Sequence, residues 1–170
     1  GNLKAICTAS TGTNHIDKKA AAARNITVLS LTEQREVINR ISSTAELAFA
    51  LTMTQLRKVL WSHAGALEGE WDYTQYIGRQ LNSLTVGVIG YGRLGSLYAG
   101  YCRAFGAQVL VYDPYKKVDR ADISQLATIE ELFERSDVIS IHVHVSPETT
   151  NMIHAASFAR MRKDVLLINT

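Results

Sequence analysis

Three closely spaced glycines form the part of this sequence best suited to chemistry. The pattern GxGxxG occupies Gly90, Tyr91, Gly92, Arg93, Leu94 and Gly95. An apolar run over 85–89 precedes the pattern directly, and apolar residues at helical spacing follow it. The next apolar run ends at Asp113, 18 residues after Gly95. A strand, a tight turn, a helix and an acid at the end of the next strand together predict a dinucleotide-binding unit.

Each part of this unit has a physical reason. Gly90 permits the tight turn, Gly92 lets a pyrophosphate approach the backbone, and Gly95 lets the helix pack close to the sheet. The free N–H groups and the positive dipole end of that helix then attract phosphate. Asp113 can accept hydrogen bonds from the adenosine ribose and would repel a 2′-phosphate, which favours NAD over NADP. The alternative is a glycine-rich turn in an α/β protein that binds no ligand.

Other candidate groups are less specific. Arg93 either offers a cation beside the pyrophosphate or is a solvated side chain. His142 follows an apolar run, at the strand end where ligands bind in parallel sheets, and a backbone contact on the adenine side is favoured there over proton transfer. The histidines have no recognisable carboxylate partner in the sequence; they are His15, His63, His142, His144 and His154. The spacing of Cys7 and Cys102 argues against a metal site.

Composition excludes several classes of function. The net charge of +2 and the scattered lysines and arginines argue against a nucleic-acid partner. The chain contains no apolar run near the roughly 18 residues needed to span a membrane. Cys7 and Cys102 both lie in apolar stretches, which predicts buried, reduced thiols and a cytoplasmic location.

The elements that must position these residues alternate between strand and helix. Strands are predicted over 3–8, 26–31, 85–89, 109–112, 137–143 and 165–169. Helices are predicted over 18–24, 43–61, 94–105, 128–135 and 155–161, with a further helix starting at Ser146; residues 32–42 are predicted to be irregular. The alternation predicts an α/β fold, a Rossmann-type doubly wound parallel sheet. Strands at both ends suggest that the sheet is incomplete and the chain a piece of a longer protein.

Matches in register along the chain carry a family resemblance. The segments are 11–17, 43–47, 77–81, 88–95, 112–115, 136–142, 147–150 and 167–170. They resemble the NAD-binding region of the D-isomer-specific 2-hydroxyacid dehydrogenases, especially the phosphoglycerate dehydrogenase-like branch. The resemblance implies that residues 1–40 are a βαβ remnant of the substrate domain and residues 41–170 a C-terminally truncated NAD-binding domain.

The resemblance also implies roles for individual residues. Arg93 and Leu94 would line the pyrophosphate, Val143 the adenine side, and Thr11 the nicotinamide end. The full expected cofactor-binding set is Thr11, Gly90, Tyr91, Gly92, Arg93, Leu94, Gly95, Asp113, Pro114, His142, Val143, Thr149, Asn169 and Thr170. Ser10 and Thr11 would hold the substrate carboxylate. Two positions depart from the family pattern: Ser10 stands where glycine is frequent and His144 where proline is common.

The expected function is hydride transfer between NAD(H) and a D-2-hydroxy acid or its 2-oxo acid. In the family, the substrate-binding arginine and the acid and histidine that handle the proton lie beyond Thr170. No catalytic residue is therefore assigned, and this chain alone is expected to bind NAD without reducing a 2-oxo acid. Homodimerisation through the helix over 43–61 is also expected. The alternatives are an NAD-sensing, corepressor-like interaction protein and a Rossmann module from another oxidoreductase, such as a formate dehydrogenase.

Overall fold

The chain divides into two compact units. The computed structural model describes the backbone of residues 1–170 and every side chain except that of Glu33. The first unit spans Gly1–Ser42 and the second Ser43–Thr170. The predicted glycine loop and Asp113 both lie in the second unit.

The first unit is a small βαβ structure. It contains β1 (Ala5–Cys7), α1 (Lys18–Ala22), β2 (Thr27–Leu29) and α2 (Arg35–Ile38), with β1 and β2 paired in parallel. Asp17 caps α1 by accepting from the Ala20 N–H at 2.9 Å. Asn25, with a φ of 52°, follows the end of α1 in the left-handed conformation, which asparagine tolerates.

Two expectations for this unit are wrong. The segment expected to be irregular contains α2, a single turn whose Ile38 is buried. Four helical residues are too few to produce a readable periodicity. Cys7 is exposed rather than buried, because alternate side chains of a strand point to opposite faces and the half-buried residue of β1 is Ile6.

The second unit is built on a parallel sheet. Its strands are β3 (Thr85–Ile89), β4 (Gln108–Tyr112), β5 (Ser124–Gln125), β6 (Val138–Ile141) and β7 (Leu166–Asn169). They are arranged in the order β5-β4-β3-β6-β7. The order reverses at β3, since the chain continues to β4 on one side and returns to β6 on the other. Ligands of doubly wound sheets bind at this switch point, beyond the carboxyl ends of the strands.

Helices cover both faces of this sheet. They are α3 (Ser43–Leu56), α4 (Val59–Leu67), α5 (Arg93–Ala104), α6 (Ile129–Arg135) and α7 (Ala155–Arg160). One core cluster joins α3 and α5 to the sheet, and a second joins α6 to Ile89 and Ile139. The predicted α/β class and doubly wound parallel sheet are therefore confirmed. No helix in the described part of the chain is long and apolar enough to cross a membrane.

The long helix predicted over 43–61 is interrupted. α3 ends at Leu56, and Lys58 takes a left-handed conformation with a φ of 51° before α4 begins. The Leu56 carbonyl instead accepts from the Arg79 N–H at 2.9 Å. Gly78 packs so closely that a Cβ there would lie 2.0 Å from the Leu56 oxygen. A segment distant in sequence thus fixes the end of α3.

The buried face of α5 consists of Gly95, Tyr98, Ala99 and Cys102. Three of these four residues are small, so the helix lies close to the sheet. Leu94, Leu97 and Tyr101 are partly buried and pack against the same core cluster. The Phe105 ring lies 4.9 Å from the ring of Phe49 of α3 in a tilted orientation.

The predicted helix at Ser146 is only a turn over 147–151. Ser146 does act as a cap, since its hydroxyl accepts from the Thr149 N–H at 3.2 Å. The turn ends at Asn151, which has a φ of 59°. Ser146 therefore caps a turn as its residue type predicts, but the helix does not continue.

Candidate functional site

The glycine loop leaves β3 in a conformation that requires glycine at its first position. Gly90 has a φ of 89°, a region that side chains disfavour, and its N–H donates to the Tyr112 carbonyl at 2.9 Å. A Cβ on Gly90 would lie 2.7 Å from Val143 Cγ1 and 2.8 Å from the His142 carbonyl oxygen. The loop after β6 is therefore packed directly against the turn.

Gly92 and Gly95 serve different purposes. A Cβ on Gly95 would lie 2.0 Å from the Gly90 carbonyl oxygen, so the start of α5 rests on the turn itself. A Cβ on Gly92 would have no described atom within 4 Å. Gly92 is the N-cap of α5 in an extended conformation that other residues adopt freely (φ −70°, ψ −162°), with no hydrogen bond from a capping side chain. The fold does not demand glycine here, and the open space lies at a helix N-terminus suited to an anion.

Asp113 ties the glycine loop to the neighbouring strand. Its Oδ2 accepts from the Tyr91 N–H at 2.7 Å, and its Oδ1 accepts from the N–H groups of Tyr115 and Lys116, each at 2.9 Å. Burial raises the pKa of this carboxyl, but the three backbone donors outweigh burial and lower the pKa overall. Asp113 is therefore ionised at neutral pH.

These contacts limit what Asp113 can offer a ligand. Each carboxylate oxygen has two lone pairs, so three backbone donors leave at most one, on Oδ2. A ribose contact to Asp113 is then a single hydrogen bond rather than a pair. Nothing in the sequence indicates the bond to Tyr91, although an Asx-type turn from Asp113 to Tyr115 is a pattern that a sequence can suggest.

His142 directs its side chain into the core. Its Nε2 lies 2.9 Å from Ser140 Oγ, and its ring lies 5.0 Å from the Tyr98 ring. Burial lowers the pKa of His142 from 6.5 to about 4. The imidazole is therefore neutral at physiological pH.

This burial predicts a pH dependence of stability. Between pH 6.5 and about 4 the unfolded chain binds a proton at His142 that the folded chain does not, so acidification destabilises the fold in this window. The full effect is up to about 3 kcal/mol. Urea unfolding at several pH values should show a weaker pH dependence in His142→Gln than in the parent. His63→Gln, a change at an exposed histidine, is the control; equal slopes in all three proteins would contradict the prediction.

The loops after β4 and β6 meet across the carboxyl end of β3. The Tyr115 hydroxyl donates to the Glu148 carboxylate, and the Lys116 ammonium lies 5.4 Å from the Tyr91 ring centre. The hydroxyl of Thr149 donates to the His144 carbonyl at 2.6 Å and accepts from the Ser146 N–H at 2.8 Å. Thr149 therefore shapes its own loop, a role that the sequence did not suggest.

The predicted site residues fall into three groups. The residues of the glycine loop, Asp113, Pro114, His142 and Val143 gather at the carboxyl ends of β3, β4 and β6. Asn169 and Thr170 lie at the carboxyl end of β7, where Asn169 is in register with Ile141. Ser10 and Thr11 lie in the first unit, where the Thr11 carbonyl accepts from the Thr32 hydroxyl at 3.0 Å.

Comparison with known proteins decides the family. Residues 49–170 match the model of the D-isomer specific 2-hydroxyacid dehydrogenase, NAD binding domain. The chain belongs to this family. The resemblance predicted from the sequence is therefore confirmed, and the second unit contains the NAD-binding domain of this family.

Individual members of the family are similar along the whole chain. The D-3-phosphoglycerate dehydrogenase of Synechocystis is 34% identical over 98% of this chain, which spans 30% of that protein. A Staphylococcus aureus NAD-dependent formate dehydrogenase, solved in complex with NAD, is 33% identical with a TM-score of 0.86, over 99% of this chain and 50% of that one.

An Aquifex aeolicus D-lactate dehydrogenase, solved with NAD and lactic acid, is 36% identical with a TM-score of 0.80, over 98% of this chain and 49% of that one. The chain thus spans about a third of the curated relative and about half of these two solved chains. The formate dehydrogenase, which the sequence reasoning set apart as a different module, shares this domain. All three of these proteins are named as dehydrogenases, and they lend no support to the corepressor alternative.

Proposed function

We propose that the glycine loop and Asp113 form the NAD(H) site of a D-2-hydroxyacid dehydrogenase. The observation that carries the proposal is the open space at Gly92, where a Cβ would meet no described atom, at the N-terminus of α5. The fold itself has no use for glycine there, but a pyrophosphate needs the room. The ionised Asp113 lies beside this space, hydrogen-bonded to Tyr91 of the same loop.

The individual roles are proposed from the resemblance to the family. The backbone of residues 91–95, with Arg93 and Leu94, would hold the pyrophosphate, and Asp113 would accept from the adenosine ribose. Pro114, His142 and Val143 would border the adenosine, with Thr149 holding its loop in shape. Thr11, Asn169 and Thr170 are proposed toward the nicotinamide end, and Ser10 and Thr11 toward the substrate carboxylate. NAD, when bound, supplies the hydride chemistry of the reaction.

Binding is tested by titration of this chain with NADH, NADPH and ADP-ribose. We expect saturable binding of NADH and ADP-ribose and at least about tenfold weaker binding of NADPH, because the carboxylate of Asp113 repels a 2′-phosphate. Equal or tighter binding of NADPH would contradict the role given to Asp113. Failure of all three to bind would contradict the proposed site.

The substrate class is tested on the whole protein. We propose oxidation of a D-2-hydroxy acid, and a panel of D-3-phosphoglycerate, D-lactate, their L-enantiomers and formate separates the possibilities. Oxidation of a D-enantiomer alone supports the proposal. Oxidation of formate alone would replace it by a formate dehydrogenase.

We further propose that a second copy of the chain covers the apolar surface of α3 and α4. Leu47 of α3 is 53% exposed, and Leu60 and Trp61 of α4 are 60% and 50% exposed. Clusters of large exposed apolar side chains are typical of interaction surfaces. A homodimer through this domain would bury them.

The dimer is tested by sedimentation equilibrium. Leu60→Glu should weaken association by at least about tenfold, since a carboxylate in an apolar interface loses its hydration without a partner. Phe158→Glu, a change at a residue of α7 that is 55% exposed, should leave association unchanged. A parent chain that stays monomeric at tens of micromolar, or equal effects of the two variants, would contradict the proposal.

Two further assignments complete the proposal. Residues 1–40 are proposed as part of the substrate domain, which agrees with the separate compact unit Gly1–Ser42. A cytoplasmic location is proposed because both cysteines, Cys7 and Cys102, are free thiols.

A further inference from the structure

A chain of buried polar side chains starts on α3 and runs under the glycine loop. The Thr52 hydroxyl donates to the Ala48 carbonyl at 2.8 Å and lies 2.8 Å from the Tyr98 hydroxyl of α5. Thr52, Tyr98 and Ser140 of β6 are fully buried. Ser140 lies 2.9 Å from His142 Nε2. Buried polar groups that lie this close must be hydrogen-bonded in a consistent direction.

The Thr52 hydroxyl donates to the Ala48 carbonyl, so the Tyr98 hydroxyl donates to Thr52. The Tyr98 ring lies 5.0 Å from the imidazole of His142, whose Nε2 is hydrogen-bonded to Ser140 Oγ. The imidazole is therefore held by one hydrogen bond and one ring contact inside the core.

The other side of His142 touches the glycine loop. Its N–H donates to the Ile89 carbonyl at 2.8 Å. Its carbonyl oxygen lies 2.8 Å from the Cβ position of Gly90, and its Cβ lies 3.3 Å from that of Gly95. A shift of the imidazole would therefore press on both ends of the loop.

We propose that His142 is a positioning residue for nucleotide binding: its imidazole, hydrogen-bonded to Ser140 and packed against Tyr98, fixes the turn from Gly90 to Gly95. The inference rests on the proposed function, since the loop matters as the pyrophosphate site. It makes one prediction about the free protein and one about binding.

The free protein is tested by NMR on the nucleotide-free chain labelled with ¹⁵N in histidine. We expect His142 to be neutral at pH 7, because burial lowers its pKa. Ser140→Ala should shift the Nε2 resonance of this ring, because it removes the hydrogen-bond partner of that atom. A charged ring, or an Nε2 resonance that Ser140→Ala leaves in place, would overturn the proposal whatever the chain binds.

Binding is tested by NADH titration of four variants. Ser140→Ala and His142→Phe should each raise the Kd about tenfold, because each removes the hydrogen bond between residues 140 and 142. His142→Gln, which retains a polar group able to bond Ser140 near the Nε2 position, should stay within about threefold of the parent. Ser136→Ala is the matched control, since Ser136 on the same chain segment is buried and its hydroxyl has no hydrogen-bond partner among the described residues.

Leu132→Ala, a change in the second core cluster, distinguishes a loss of stability from a loss of nucleotide binding. It should lower the urea midpoint at least as much as Ser140→Ala and leave the Kd for NADH unchanged. A parent chain that does not bind NADH defeats the proposed function. If the parent binds NADH and Ser140→Ala and His142→Phe bind it equally well, His142 does not position the loop. The same conclusion follows if Leu132→Ala binds NADH as weakly as those two variants do.

Discussion

The Gly92→Ala variant is expected to fold like the parent chain and to bind NADH about 100-fold more weakly. An added methyl group meets no described atom within 4 Å, and the backbone at this position is in an extended conformation that alanine adopts freely. The methyl group instead projects into the space proposed for the pyrophosphate, where it would hold the phosphates away from the N–H groups of α5. The substitution would thus leave the stability of the fold unchanged and weaken the binding of NADH.

The experiment combines NADH titration with urea unfolding. Gly100→Ala, in the same helix, is the control, because its Cβ would meet only Arg120 Nη1 at an ordinary 3.5 Å. Gly95→Ala offers the contrast, since its clash at 2.0 Å with the Gly90 carbonyl should destabilise the fold as well. Unchanged NADH binding by a folded Gly92→Ala variant would remove the observation on which the proposed site depends.

The Asp113→Asn variant is expected to lose both affinity for NADH and preference for NADH over NADPH. We expect the Kd for NADH to rise between about 10- and 100-fold and the preference to fall at least about tenfold. Two causes act together. The charge that repels a 2′-phosphate disappears, and an amide NH₂ replaces one of the two oxygens that accept from Tyr91, Tyr115 and Lys116. One or two backbone donors are then left facing another donor.

Asp119→Asn is the matched control, because it removes the same charge from an exposed position of the same loop. It should leave both the Kd for NADH and the preference unchanged. If Asp113→Asn keeps the parental preference, the carboxylate does not select the unphosphorylated ribose.

The sheet and its capping residues were the most predictable parts of the fold. The strand over 85–89 has the bounds expected, and Asp17 and Gly106 lie at helix ends, where their residue types are favoured. These features are local, since they depend on hydrophobic runs and on conformations that few residues adopt. The break after Leu56 depends on Arg79, and the two-residue β5 lies at the sheet edge with both residues exposed. Neither feature leaves a pattern in the neighbouring sequence.

The position of the glycine loop and Asp113 in the fold was predictable from the sequence, but their contacts were less so. The spacing of Gly90, Gly92, Gly95 and Asp113 brought them together as expected. The sequence could not show that Asp113 binds the Tyr91 N–H or that His142 turns toward Ser140. Side-chain direction at a loop depends on packing with distant residues, here Tyr98 of α5.

Asp113 accepts hydrogen bonds from three backbone N–H groups, which matters for any attempt to change the cofactor preference. Replacing this one residue to change the cofactor also removes the brace between the phosphate turn and the adjoining strand. A redesign for NADPH therefore needs a new acceptor for the Tyr91 N–H as well as a cation for the extra phosphate. Libraries that vary Asp113 together with Tyr115 and Lys116 should yield working NADPH variants more often than libraries that vary Asp113 alone.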